Sequence, residues 1–171
     1  MLIKEEQKRT AENTIFLNIK EGAIVRRTPK GEERYSSLLA KVTDIVLVSR
    51  TFNKEQVNYW YINLQDEEGN TYSLGFAYSN NLFKSIILQL ASEQGLQAVS
   101  TNTPIKFSPY NKNFYDKIQL YVGENKLAWA VPVTELPSVK EIELGGRKIK
   151  DDSERMEFII KYVEKIKEVI K

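Results

Sequence analysis

The side chains best placed to do chemistry are aromatic rings set beside lysine and arginine. In VNYWYINLQ, Tyr59, Tyr61 and Asn63 alternate with Trp60, Ile62 and Leu64. Successive strand side chains point to opposite faces, so the apolar set can line a core while the two phenol rings face outward. Two outward rings have two readings. One is cross-strand packing or cover from a neighbouring segment; the other is a flat platform on which bases or sugars stack. The pairing of rings with cations recurs nearby. Arg50, Phe52 and Lys54 precede the strand. Lys112, Phe114, Tyr115 and Lys117 share a later polar stretch, and Lys106 and Tyr121 hold adjoining outward positions. Every base has a π-face worth ~1–3 kcal/mol when stacked, and a nearby Lys or Arg neutralises phosphate.

Other chemistries are closed off by composition. The chain has no His and no Cys. That excludes disulfides, zinc sites with the usual ligands, Cys nucleophiles and His-based triads. No catalytic residue, metal ligand or cofactor site is expected. The acidic run Asp66-Glu67-Glu68 leads into Gly69-Asn70 and reads as a solvated turn. Two carboxyls set across a cleft, as glycoside hydrolysis requires, are not suggested by three in a row on one tip. Gly145-Gly146 is too short for a phosphate-binding loop. Net charge is +2, so phosphate contacts need local clustering of cations. Residues 35–136 carry eight Lys and Arg against nine Asp and Glu, much of the negative charge lying in that turn.

The elements that must position these residues can be read from periodicity. Residues 1–13 are polar and charged and read as a flexible lead or a short helix; IFLNIKEGAIVRR reads as a hairpin turning at Glu21-Gly22. YSSLLAKVTDIVLVS is a long strand whose alternation changes phase, Leu38, Ala40 and Val42 on one face and Ile45 and Leu47 on the other, which predicts a bulge or sharp bend. Residues 50–56 read as the loop before the central hairpin, whose second strand carries Tyr72, Leu74, Phe76 and Tyr78 on one face. Ser79-Asn80 can cap a helix from Asn81 to Gln94, stopped by Gly95. Strands follow at 103–110 and 117–122, separated by a polar loop over 111–116, and Leu127–Val131 is expected to complete the pairing. Pro132 to Pro137 marks a boundary. Beyond it come a short hairpin around Gly145-Gly146 and a final helix striped with Phe158, Ile159, Tyr162, Val163, Ile166 and Ile170. No run approaches ~18 apolar residues, and the N-terminus lacks an apolar core of signal-peptide length, so no membrane contact is expected.

This order predicts a mainly β fold with helices: an OB-fold, a five-stranded Greek-key barrel over residues 14–136, with an extra N-terminal hairpin and a C-terminal extension over 137–171 that ends in an amphipathic helix. From Phe16 to Trp129 the chain resembles single-stranded-DNA-binding proteins of tailed phages and mobile elements of gut bacteria. The likeness lies in FLNIKEGAIV, LAKVTDIVL, YINLQDEEGNTYSLGFAYSNNLFKSIILQL, IKFSPY and KIQLYVGENKLAW. It implies a barrel that coats single strands without catalysis, in replication or recombination, in the cytoplasm of a bacterium or infected host. Bacterial single-strand binders commonly end in an acidic tip, whereas this chain ends in KYVEKIKEVIK. The alternative is an interaction or assembly module using the same aromatic face, with the C-terminal helix docking on a replication protein or a second copy. A carbohydrate-binding barrel would use the same rings.

Overall fold

The structure, a computed structural model, describes residues 13–170, so the polar lead expected over 1–13 lies almost wholly outside the described residues. Strands β1 (Ile15–Lys20) and β2 (Ala23–Thr28) form the expected hairpin at Glu21-Gly22. A strand that the sequence does not signal, β3 (Gly31–Tyr35), pairs back on β2. All its residues are exposed, so it has no buried face to impose an alternation. Then come β4 (Leu38–Phe52), β5 (Glu55–Gln65) and β6 (Thr71–Ala77). Two helices, α1 (Asn81–Leu90) and α2 (Glu93–Ser100), precede β7 (Ile105–Lys112), β8 (Tyr115–Val122) and the short β9 (Asn125–Lys126). The hairpin of β10 (Lys140–Leu144) and β11 (Arg147–Asp151) leads into α3 (Ser153–Val169). The fold is mainly β, with three helices among the described residues.

Nine strands make one sheet in the order β3-β2-β1-β6-β5-β4-β7-β8-β9. Neighbours run antiparallel except β1 and β6, which are parallel. The long strand β4 joins the two halves, pairing with β5 for most of its length and with β7 through Leu38–Ala40. Its register with β5 shifts between Val42 and Asp44, so the expected bulge is present. The extra residue, Thr43, keeps Ala40, Val42 and Ile45 all buried in one core rather than splitting them between faces. Helix α1 fills that core with Phe83, Ile86, Ile87, Leu88 and Leu90. Trp60 stacks on Phe83 with ring centroids 4.7 Å apart, and its indole N–H donates to the Tyr78 carbonyl.

Three boundaries differ from the expected ones. The α1 helix starts as expected, with the Asn80 side chain accepting from the Leu82 N–H, but it ends at Leu90. A second helix follows, and Gly95 lies inside it rather than stopping the first. A Cβ on Gly95 would sit 2.4 Å from the Gln89 carbonyl oxygen and 2.5 Å from that of Leu90. Only glycine lets α2 fold back this tightly on the end of α1. Gly95→Ala would gain about 1 kcal/mol of helix propensity but must displace backbone, at the upper end of the ~1–3 kcal/mol of overpacking or beyond. The expected outcome is a melting temperature lower by roughly 4–8 °C at ~2–4 °C per kcal/mol; an unchanged or raised value would show that the end of α1 yields freely. Leu127–Val131 is not a strand: β9 stops at Lys126, and the Ala130 N–H instead donates to the Leu88 carbonyl. The third difference concerns the two loops that carry candidate residues, described below.

Helix α3 buries Met156, Ile159, Val163 and Ile166 against the body, where it meets α1, α2 and β4. The buried Lys84 of α1 pairs with Asp152 at 2.8 Å, just before α3 begins. The central part of the stripe expected on this helix is therefore occupied within the chain. No helix among the described residues is long and apolar enough to cross a membrane.

Candidate functional site

Both loops expected to carry candidate residues are two-residue turns at the tips of long arms. The β4–β5 arm turns at Asn53 and Lys54, with φ of 49° and 69°. The β7–β8 arm turns at Asn113 and Phe114, with φ of 53° and 68°. Two successive residues at positive φ are the hairpin turn whose twist matches the strands. Arg50 and Phe52 are therefore in β4, and Lys112, Tyr115 and Lys117 are in strands too. Asn is at ease in this conformation, whereas a bulky residue there is an outlier. Phe114 holds it with its ring 98% exposed. Strain of this kind, with no packing in return, points to a role outside the fold.

The first group of candidates shares one face. Register pairs Val48 with Tyr59, Val46 with Tyr61 and Asp44 with Asn63, and on the other side Tyr61 with Gly75 and Asn63 with Ser73. Directly paired residues point the same way, so Arg50, Phe52, Tyr59, Tyr61 and Asn63 all lie on the outer face. Tyr59 and Tyr61 are half-buried, neither bare nor in the core. Their cover comes from other rings on that face. Phe52 meets Tyr59 edge-on at 6.2 Å, and Phe16 of β1 meets Tyr61 edge-on at 6.3 Å. The Arg50 guanidinium lies 5.3 Å from the centroid of Tyr61. Gly75 gives the Tyr61 ring its bed, since a Cβ there would meet the ring at 3.0 Å. Asn63 is engaged, its side-chain oxygen accepting from the Ser73 hydroxyl.

Part of this face is a concave groove of about 430 Å³, lined by Phe16, Val46, Val48, Arg50, Tyr61 and Asn63 among others, with Phe52 and Tyr59 outside it. Arg50 is the one charged residue among its lining side chains. Phe16 is 60% exposed and is absent from the residues expected at the site. The signal was present: Ile15, Leu17 and Ile19 take the inward positions of β1, which leaves Phe16 outward beside Asn18.

The second group lies on the β7–β8 arm. Register pairs Lys106 with Tyr121, Tyr110 with Lys117 and Lys112 with Tyr115, so three rungs each set a lysine against a tyrosine. The Lys106 ammonium is 5.4 Å from the Tyr121 ring centroid. Tyr110, which sequence reasoning left out, completes the ladder. Tyr110 and Lys117 line a different concavity of about 290 Å³, together with Trp129 and Arg155. The two groups therefore line separate concavities, and no ring contact joins them among the described residues. The β1–β2 turn does reach the second arm: the Asp116 carboxylate accepts from the backbone N–H of Gly22 at 2.6 Å and of Glu21 at 3.2 Å.

The acidic turn is closed on itself. The Asp66 carboxylate accepts from the Tyr72 hydroxyl at 2.8 Å, the Asn70 N–H at 2.9 Å and the Glu68 N–H at 3.0 Å. Burial pushes its pKa up, but these bonds, with that from the Asn70 amide, outweigh it and hold Asp66 below its ordinary value. No group of His, Cys, Asp and Glu suited to a metal occurs among the described residues. Burial, helped by the Asp66 charge, pushes the Tyr72 hydroxyl up to about 12. A folded-state pKa above the unfolded value near 10 means that the unfolded chain loses this proton first. The contribution is whole below pH ~10 and is lost as pH rises towards ~12. Urea unfolding across that range should show a steeper loss of stability for the unaltered chain than for Tyr72→Phe. Equal slopes would refute the assignment.

Comparison of the chain with protein-family models, with curated proteins and with solved structures finds no match.

Proposed function

We propose that this chain binds single-stranded DNA without catalysis, in replication or recombination, by stacking bases along the outer face of β1, β6, β5 and β4. The observation that carries the reading is the strip of Phe16, Tyr61, Arg50, Tyr59 and Phe52 along one outer face, of which Phe16, Tyr61 and Arg50 line the groove. Side chains of this type on such a surface serve stacking whatever the base sequence. The strand plan supports it. The order of strands β4 to β8, with helices between the third and fourth, is the one expected of an OB-fold, although these strands belong to an open nine-stranded sheet; in an OB-fold ligands cross the second and third strands and touch the loops after the first and fourth. Here those strands are β5 and β6, and those loops are the tips at Asn53-Lys54 and Asn113-Phe114. On this reading β1 pairs with the outer edge of the third barrel strand and widens the binding face.

Charge and stacking make unequal contributions. Arg50 lines the groove and Lys54 stands at the arm tip. Two phosphate contacts give a slope of log K against log salt of about −1.4, at ~0.7 per contact on single strands. A fluorescence titration with oligo-dT at several salt concentrations is expected to show a slope near that value, with binding that persists at moderate salt. Arg50→Gln should reduce the slope by about 0.7. Absence of binding at micromolar protein in low salt would overturn the proposal. A steep slope would move the interface to the lysine ladder of the β7–β8 arm.

A further inference from the structure

The hairpin of β10 and β11 stands apart from both concavities. Every residue from Lys140 to Lys150 is exposed, and the two strands form a sheet of their own. A two-stranded hairpin alone is marginal in water. Its base is tied down, Lys140 to Glu154 and Asp151 to the Ser153 N–H, while its tip projects. Both outer edges are unpaired among the described residues. The turn at Gly145-Gly146 has φ of 59° and 79°, a two-residue turn closed by Leu144 and Arg147. That closing pair exchanges both backbone bonds, and so does every second pair from it. Glu141, Glu143, Lys148 and Lys150 therefore turn their backbone N–H and C=O groups to the free edges.

Those same residues set the charge of each edge. On one face Glu141 opposes Lys150 and Glu143 opposes Lys148. The β10 edge is thus lined with carboxylates and the β11 edge with ammonium groups. The other face shows Ile142 opposite Ile149 and Leu144 opposite Arg147, with Ile142, Leu144 and Ile149 at 40%, 59% and 43% exposure. Lysines on both edges would repel a second copy, a usual protection of free strands. Edges of opposite sign attract one. Two-fold pairing of β10 with β10, or of β11 with β11, places like charges opposite each other, which is unfavourable. Pairing β11 of one copy with β10 of the next continues the antiparallel sheet, places Lys opposite Glu and extends the apolar row. We propose that the β10–β11 hairpin is a self-association surface, through which copies of this chain add head to tail, β11 edge to β10 edge. Such a contact is heterologous and does not close at the dimer. It does not depend on what the groove binds.

Sedimentation velocity of the full chain without nucleic acid, from low micromolar to several hundred micromolar, tests it. The average mass is expected to climb past that of a dimer without levelling. The pair Glu141→Lys, Glu143→Lys makes both edges positive, and Lys148→Glu, Lys150→Glu makes both negative. Each is expected to sediment as a single chain, and an equimolar mixture of the two is expected to regain the climb. A variant carrying all four reversals keeps the charge pairs within the hairpin and should associate with itself as the unaltered chain does. The proposal is overturned by an unaltered chain that stays monomeric or levels at a dimer. It is equally overturned by reversed variants that associate as before, or by a mixture that stays monomeric.

Discussion

Oligo-dT is expected to bind the Phe16→Ala, Tyr61→Ala double variant at least about 30-fold more weakly than the unaltered chain. Each ring offers ~1–3 kcal/mol of stacking to a base, so two rings account for about 2–6 kcal/mol, at ~1.4 kcal/mol per tenfold in affinity. The pair is chosen because the rings, from β1 and β5, meet edge-on over β6, and Tyr61 carries the one guanidinium in the groove. Removing Tyr61 also releases Arg50, which then loses the ring that holds it over the groove. Folding should change much less. Phe16 is 60% exposed, and the Tyr61 ring lies on Gly75, outside the core built by Trp60, Ile62 and Leu64. The measurement is a titration at fixed salt beside a thermal melt. Unchanged affinity would remove the groove from the interface. A collapse in melting temperature would mean that the rings are structural, which favours the reading of an assembly face. Phe114→Ala tests the tip of the β7–β8 arm: it should leave binding intact if the groove acts alone and weaken it if the strand also reaches that arm.

How much of this was legible in the sequence depends on which elements have one wet face. Strand β5 was readable because Trp60, Ile62 and Leu64 are buried and their neighbours are not, so period two survives in the residue types. The bulge in β4 was readable for the same reason, as a change of phase. The arms beyond the core were not. From Ser49 to Gln56 both faces are exposed, and no burial constrains the pattern, so strand there looks like loop. Asn53-Lys54 and Asn113-Phe114 lack the glycine that usually marks a tight hairpin turn. The break after Leu90 was hidden because Gly95 reads as a helix stop, while its use is close approach between two helices. At the site, each candidate's outward direction followed from alternation. The grouping did not, because which face meets which depends on the order of strands in the sheet. The parallel pairing of β1 with β6, which brings Phe16 to Tyr61, joins segments more than fifty residues apart and leaves no local trace.

Gln89→Leu is expected to cost the fold about 4 kcal/mol, enough to lower the melting temperature by roughly 8–16 °C at ~2–4 °C per kcal/mol. The reason lies in how the sheet ends. Strand β8 pairs with β7 on one side, but on the other β9 covers only Tyr121 and Val122, and the Leu127 N–H takes the Leu120 carbonyl. That leaves the Ile118 carbonyl and the Leu120 N–H facing helix α1 at a buried edge. Gln89, itself 1% exposed, meets both: its amide N–H donates to Ile118 at 3.0 Å and its oxygen accepts from Leu120 at 2.8 Å. One side-chain amide thus supplies the two bonds that a further strand would have made. The same oxygen accepts from Gln119, and the same nitrogen donates to Ser85. Leucine keeps the volume and strands two buried backbone groups, each costing about 1–3 kcal/mol when left unpaired. A natural domain has only about 5–15 kcal/mol in hand, so the loss falls on the whole chain. Chemical unfolding measures it. A cost below about 1 kcal/mol would mean that the edge finds other partners and that β8 is not held by this residue. Gln119 lies midway along the outward row of Lys117 and Tyr121, so a loosened edge disturbs the lysine–tyrosine ladder and leaves the groove on β4, β5 and β6 in place. Oligonucleotide binding by the folded fraction of Gln89→Leu therefore reports which of the two surfaces a strand uses.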